Sequence, residues 1–105
     1  MAILHIKNHD FQKEVLESQK PVILDFFATW CGPCKMLAPA VERMAEVHPE
    51  VHFYKVDIDE EMDLASRFGV MSVPTLLYFK RGEIVNKTVG LISPADLENA
   101  IAKSK

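Results

Sequence analysis

The sequence predicts an α/β chain, one mixed sheet with helices on both faces, on three observations. The run Val22-Ile23-Leu24-Asp25-Phe26-Phe27 is apolar on both of its alternating faces, which suits a central strand covered from both sides. It leads through Ala28-Thr29-Trp30 into Cys31-Gly32-Pro33-Cys34-Lys35, and beyond these Met36, Leu37, Ala40, Val41 and Met44 repeat at helical spacing. Near the other end, Thr75-Leu76-Leu77-Tyr78-Phe79 and the run Ile84 to Val89 are separated only by Lys80-Arg81-Gly82-Glu83, a loop short enough to imply an antiparallel hairpin.

Taken in order, Ala2 to Ile6 is a short apolar strand. Asn8 can cap a helix whose Phe11, Val15 and Leu16 share one face. Gln19-Lys20-Pro21 is a turn, and Pro21 to Ala28 is the central strand. The helix running from Met36 to Val47 carries Pro39 inside it and is expected to kink there, because proline lacks the N–H that an interior helical position needs. His48-Pro49-Glu50 ends that helix, and Val51 to Ile58 is a third strand passing into the acidic Asp57-Ile58-Asp59-Glu60-Glu61. Asp59 can cap a short helix through Met62, Leu64, Ala65 and Phe68, stopped by Gly69. Ser93-Pro94-Ala95-Asp96 combines a cap, a first-turn proline and a capping-box acid, opening a last helix with Leu97 and Ile101 inward. The order is βαβαβαββα, without repeats, linkers or low-complexity segments, so residues 1–105 read as one domain.

A chain of 105 residues, 49% hydrophobic and 26% charged, is long enough to bury a core unaided. Its net charge of −3 gives no electrostatic footing for nucleic acid, and its apolar runs are too short to cross a membrane. Met1-Ala2-Ile3-Leu4-His5 lacks the basic, apolar and small-residue regions of a secretion signal, which makes a cytoplasmic location the expectation. In that reducing compartment two cysteines are more often catalytic or metal-binding than structural.

Cys31 and Cys34 are the only cysteines of the chain. Residues three apart in a first helical turn fall within the Cα span that a disulfide accepts, and Pro33 suits that turn because its missing N–H would be unpaired there. Cys31, at the N-terminal edge, has its thiolate favoured by free amides and the helix dipole and is the expected nucleophile. Cys34, one turn further in, is the expected resolving thiol. A competing pattern exists: Cys31-x2-Cys34, thirteen residues, then His48-x3-His52 fits a loose zinc-finger spacing. Such a finger sets both histidines on one helical face, whereas Pro49 separates these two and His52 falls in a strand. No metal is therefore expected, and His48, His52, His5 and His9 are all expected at the surface.

Asp25 shares a strand face with Ile23 and Phe27, opposite Val22, Leu24 and Phe26. Burial there is expected to raise its pKa towards neutrality, so that it exchanges a proton with Cys34. Lys55, on the following strand, either pairs with Asp25 and tunes it or is simply solvated. Trp30 is either ordinary core or a flat apolar contact for a partner beside the reactive thiol.

Trp30-Cys31-Gly32-Pro33-Cys34-Lys35 after a buried strand bearing an aspartate, with a separate Val73-Pro74-Thr75 before a hairpin, resembles the thioredoxin family. The likeness covers essentially the whole chain and extends to Lys55, Gly82, Gly90 and the helix proline Pro39. Phe27 departs from it, since a second tryptophan often stands there. The resemblance implies the thioredoxin fold: a mixed five-stranded sheet in the order first-third-second-fourth-fifth, the first three strands parallel and the last two antiparallel, flanked by four helices. It implies a cis Val73–Pro74 bond beside the cysteines, with the Val73 backbone pairing with an extended substrate segment. Gly90 would leave room for that segment, and Gly32, Pro33, Met71 and Ile92 would extend the contact surface.

In function, the resemblance implies a general protein-disulfide reductase working through a reversible Cys31–Cys34 dithiol. No bound cofactor is expected; the electrons would come from NADPH through thioredoxin reductase. Disulfide-containing proteins would be the substrates, and a monomer is the simplest state. Oxidants and isomerases share the fold, but Gly32-Pro33 and the missing signal argue for a reductant. A binding or chaperone module with incidental redox turnover is the reading from another class.

Overall fold

The structure, a computed structural model, describes residues 3–105. Strand β2 (Val22–Phe27) lies in the middle of its sheet because both of its faces are apolar. Around it stand β1 (Leu4–His5), β3 (His52–Asp57), β4 (Thr75–Lys80) and β5 (Glu83–Val89), in the order β1-β3-β2-β4-β5. β1 and β2 run parallel to β3, β4 is antiparallel to β2, and β5 closes the hairpin with β4. Ala2, expected to open the first strand, lies outside the described residues.

The alternation along β2 divides the core in two. Ile23 faces α1 (Gly32–Val47) and α3 (Pro94–Ser104), packing with Leu37, Val41, Leu97 and Ile101. Val22, Leu24 and Phe26 face the other way, onto Phe11, Val15 and Leu64 of α2 (Met62–Arg67). A fourth helical segment, Asn8–Asp10 followed by a wide turn over Gln12–Leu16, supplies Phe11 and Val15. A small third cluster of Ala28, Cys31 and Cys34 sits beyond the end of β2. α3 opens as its sequence predicts: Pro94 takes the first turn and Ser93 Oγ accepts the Asp96 N–H at 3.1 Å. α1 is longer than expected at its start, beginning at Gly32 rather than Met36, and it runs on through Pro39.

Three local expectations are corrected. Asn8 does not cap a helix with its side chain; its backbone N–H instead donates to Glu61 Oε1 at 2.8 Å, a partner from the start of α2. The cap expected from Asp59 is also absent. Asp57 organises that turn, its Oδ1 accepting the N–H groups of Asp59 at 2.9 Å and Glu60 at 3.4 Å. His48 is not a surface residue but 8% exposed. Its Nδ1 lies 3.2 Å from Glu50 Oε2 and its Nε2 2.9 Å from Glu98 Oε1, because α3 brings Glu98 across the end of α1. The Lys105 ammonium joins the same cluster through Glu50. With Lys105 and His48 both donating to it, the Glu50 carboxyl is held down at about 2. His52 is half-buried, with an Nδ1 that is buried and has no hydrogen-bond partner among the described residues.

The β4–β5 loop is where backbone freedom is required. Arg81 and Gly82 both have positive φ, 52° and 80°, as a two-residue turn matched to strand twist demands. A Cβ on Gly82 would also meet the Leu16 carbonyl oxygen at 2.8 Å. Gly82→Ala is therefore expected to lower stability by at least about 1 kcal/mol, from left-handed strain and that clash together. Gly32, whose Cβ would meet nothing within 4 Å, is the control: Gly32→Ala should leave the urea midpoint nearly unchanged or raised, while Gly82→Ala lowers it.

Candidate active site

Where β2 ends, the chain turns through Ala28, Thr29 and Trp30 and starts α1 at Gly32. The sulfur of Cys31 is the cap of that helix, accepting the Cys34 N–H at 3.1 Å. Cys31 and Cys34 are joined as a disulfide with a Cα–Cα distance of 5.3 Å. Both are buried, at 4% and 7% exposure, yet they border different spaces. Cys31 lines an open groove of about 510 Å³ together with Trp30, Ile58, Met71 and Val73. Cys34 lines a separate cavity of about 250 Å³ with Asp25, Phe27, Lys35 and Lys55.

The groove is apolar and exposed. Trp30 is 67% exposed rather than core, and its indole Nε1–H donates to Asp59 Oδ2 at 2.9 Å. Met71, 94% exposed, borders it. The Cys31 sulfur lies 3.6 Å from the Val73 carbonyl oxygen. The Val73–Pro74 bond is cis. The Pro74 carbonyl accepts the Gly90 N–H at 2.8 Å, and Gly90 has φ 87°. Gly32 and Pro33 line the groove; Pro74 and Gly90 are not among its lining residues. Ile92 is not brought to the groove; its side chain packs on the α1–α3 core, because the chain there is already turning into α3.

On the cavity side, Asp25 is 4% exposed and its Oδ1 has no hydrogen-bond partner among the described residues. Burial pushes its carboxyl up from 3.8 to about 6, with the charge of Lys55, its register neighbour on β3, pulling the other way. Lys55 is half-buried, its ammonium 5.2 Å from the centroid of the Phe27 ring. The residues of the zinc-like spacing are dispersed: the cysteines bond to each other, His48 faces glutamates, and His52 sits on β3. Among the described residues no group of three His, Cys, Asp or Glu is placed to hold a metal ion.

The sequence matches the family model described as Thioredoxin over residues 2–103. The chain belongs to the thioredoxin family. Thioredoxin-2 of Saccharomyces cerevisiae is 44% identical, over 90% of this chain and 90% of its own length. The thioredoxin of Haemophilus influenzae is 42% identical over 94% of both chains. The mitochondrial thioredoxin of Mus musculus is 47% identical over 90% of this chain, which spans 57% of that longer protein. In three dimensions the chain superposes with TM-score 0.88, at 33% identity and over 96% of its length, on 94% of a chain solved in work on the thiol resolving mechanism of a yeast mitochondrial 1-Cys peroxiredoxin. With family, fold and a Cys31–Cys34 disulfide together, this family member is a thiol–disulfide oxidoreductase. No described helix is long and apolar enough to cross a membrane.

Sequence reasoning missed three contacts at this site: Asp59 on Trp30, Lys55 over Phe27, and His5 edge-on to the same ring at 5.3 Å. The last two depend on strand register, which pairs His5 with Lys55 and Lys55 with Asp25; the hydrophobic pattern does not supply it.

The raised carboxyl of Asp25 makes stability fall as pH rises. Between its ordinary 3.8 and its folded value of about 6, the folded state holds a proton that the unfolded chain has lost. Above that window it carries a buried carboxylate at a cost of about 3 kcal/mol. Asp25→Asn is expected to be more stable than the parent at pH 8, with the advantage shrinking from pH 6 to pH 4 and gone below. Parallel urea titrations at pH 4 and pH 8 check this, and an advantage independent of pH would contradict it.

Proposed function

We propose that this protein is a general protein-disulfide reductant, and that the disulfide seen here is its oxidised, resting half. The observation that carries the reading is the division of the two sulfurs between an apolar groove and a separate, smaller pocket holding a carboxyl oxygen with no hydrogen-bond partner among the described residues. In the reduced protein, Cys31 as thiolate attacks a client disulfide. A Cys31–client bond forms, the client bond breaks, and the departing client sulfur takes up a proton. The client segment lies along the groove, its backbone paired with Val73 and its side chains on Trp30, Gly32, Pro33 and Met71. The cis Val73–Pro74 bond and the Gly90 N–H on the Pro74 carbonyl fix the Val73 segment.

Asp25 then takes the thiol proton of Cys34. The Cys34 thiolate attacks the Cys31 sulfur, and the client's second sulfur leaves reduced. Two electrons have passed to the client, and the Cys31–Cys34 bond is restored. Lys55 tunes Asp25 by its charge. No resident cofactor takes part; an NADPH-dependent thioredoxin reductase returns the dithiol, and residues 1–105 act as one domain and as a monomer. A reducing compartment fits this chemistry. The cytoplasm is the first choice, and the mitochondrial relatives make the mitochondrion the second.

Cys31→Ser is expected to abolish reduction of a protein disulfide. Cys34→Ser is expected to halt at the first step and leave the client covalently attached, visible as a shifted band on non-reducing gels. Normal turnover by Cys34→Ser would end the two-step scheme. Equilibration of the pair against a thiol buffer should give a midpoint near the −270 mV or so typical of thioredoxins, whereas a value above about −200 mV would place the protein with oxidants and isomerases.

A further inference from the structure

Phe27 stands where the sequence departs from the family, and its neighbours assign it a task. Asp25 and Lys55 face each other in the β2–β3 register, yet among the described residues no hydrogen bond or ion pair joins them, and Asp25 Oδ1 is unpartnered. Two residues along β2, on the same face as Asp25, the Phe27 ring takes the Lys55 ammonium over its face at 5.2 Å from the centroid. His5 of β1 meets the same ring edge-on at 5.3 Å. Phe27, Asp25, Lys55 and Cys34 border one cavity.

An ammonium beside a buried carboxylate has two ordinary fates. It closes on the carboxylate as a salt bridge, or it leaves for water. The first would fix Asp25 as an anion, because a paired carboxylate is a poor proton acceptor. The second would leave Asp25 opposed by burial alone. The negative face of an aromatic ring offers a third position, attractive to a cation and set apart from the acid.

We propose that Phe27 is a positioning residue that holds the Lys55 ammonium at a stand-off from Asp25, close enough to favour the carboxylate and too far to pair with it. Its importance to turnover rests on the reading of Asp25 as the proton acceptor for Cys34. Its physical content does not. The charged or titratable groups around the arrangement are Asp25 on β2, Lys55 and Asp57 on β3, His5 on β1, Tyr78 on β4 and Lys35 at the start of α1.

The test follows the Asp25 side-chain carboxyl carbon by NMR against pH in the oxidised protein. Without the ring the lysine goes to water. Phe27→Leu is then expected to raise the Asp25 midpoint by about half a pH unit, a roughly threefold change in its protonated-to-ionised ratio at a given pH. Lys55→Met should raise it at least as far, and adding Phe27→Leu to Lys55→Met should change nothing more. Phe27→Trp, which keeps a cation-binding face, should hold the parental midpoint, and Phe27→Met should repeat the leucine result if leucine disturbs folding. In Lys35→Met or His5→Gln backgrounds the Phe27→Leu shift should persist. An unchanged or lowered midpoint in Phe27→Leu would overturn the proposal. So would a shift that survives the loss of Lys55 or vanishes with Lys35 or His5, or a tryptophan that behaves like leucine. If Asp25→Asn resolves the mixed disulfide at the parental rate, the role of Asp25 in turnover fails, and this titration still decides the role of Phe27.

Discussion

Burial of β2 on both faces is the constraint from which the site follows. A strand covered by α1 and α3 on one side and α2 on the other has no solvent side on which to place a polar group. Asp25 nevertheless sits in it at 4% exposure. Its carboxyl is out of water because the strand is, and desolvation moves it to about 6. The same strand must also end, and it ends at a turn into a long helix. The first free amides of α1 therefore meet whatever follows β2. Cys31 follows it, and its sulfur takes the Cys34 N–H as a cap.

The two cysteines are asymmetric because of this placement rather than through any difference in kind. Cys31 belongs to the loop, and the loop borders the groove formed with Val73 and Ile58. Cys34 belongs to the first helical turn, which looks back along β2 towards Asp25 and Lys55. On the proposed mechanism the nucleophile needs access to a bulky partner and the resolving thiol needs a base. The strand-to-helix corner sets Cys31 on the groove and Cys34 in the pocket with Asp25, over a Cα separation of 5.3 Å.

Much of this was legible in the residues. The both-sided apolarity of β2, the period of α1, the Ser93-Pro94 helix start and the Arg81-Gly82 turn are local signals, and the structure carries each of them. The Cys31–Cys34 pair and the buried Asp25 were legible too, since both follow from position on those elements. What was not legible depends on contacts between distant segments. His48 reads as a surface residue until Glu98 arrives from α3. Asn8 reads as a cap until Glu61 takes its N–H. Ile92 reads as part of the groove until its side chain is seen on the α1–α3 core. Asp57 rather than Asp59 organises the turn because a side chain can reach two amides only if the chain turns beneath it, and a run of acids does not say where it turns.

Net charge says little about this site, and the local arrangement says a great deal. At pH 7 Asp25 is mostly ionised with its midpoint near 6, and the folded state then carries a cost of about 3 kcal/mol. Set against a typical stability of about 5–15 kcal/mol, that is a large fraction to leave in place. An asparagine, or a lysine closing fully on the carboxylate, would relieve much of it. Either change would also remove a group able to change protonation near neutral pH. A carboxyl at its ordinary 3.8 is a weaker base by about two powers of ten, and one buried without any nearby cation would stay protonated. Burial raises Asp25 and Lys55 lowers it, so the useful range lies between two opposing effects of similar kind. Holding that range requires a cation at a fixed distance. The side chain that sets the distance is therefore part of the site, even though it carries no charge and touches no sulfur chemistry.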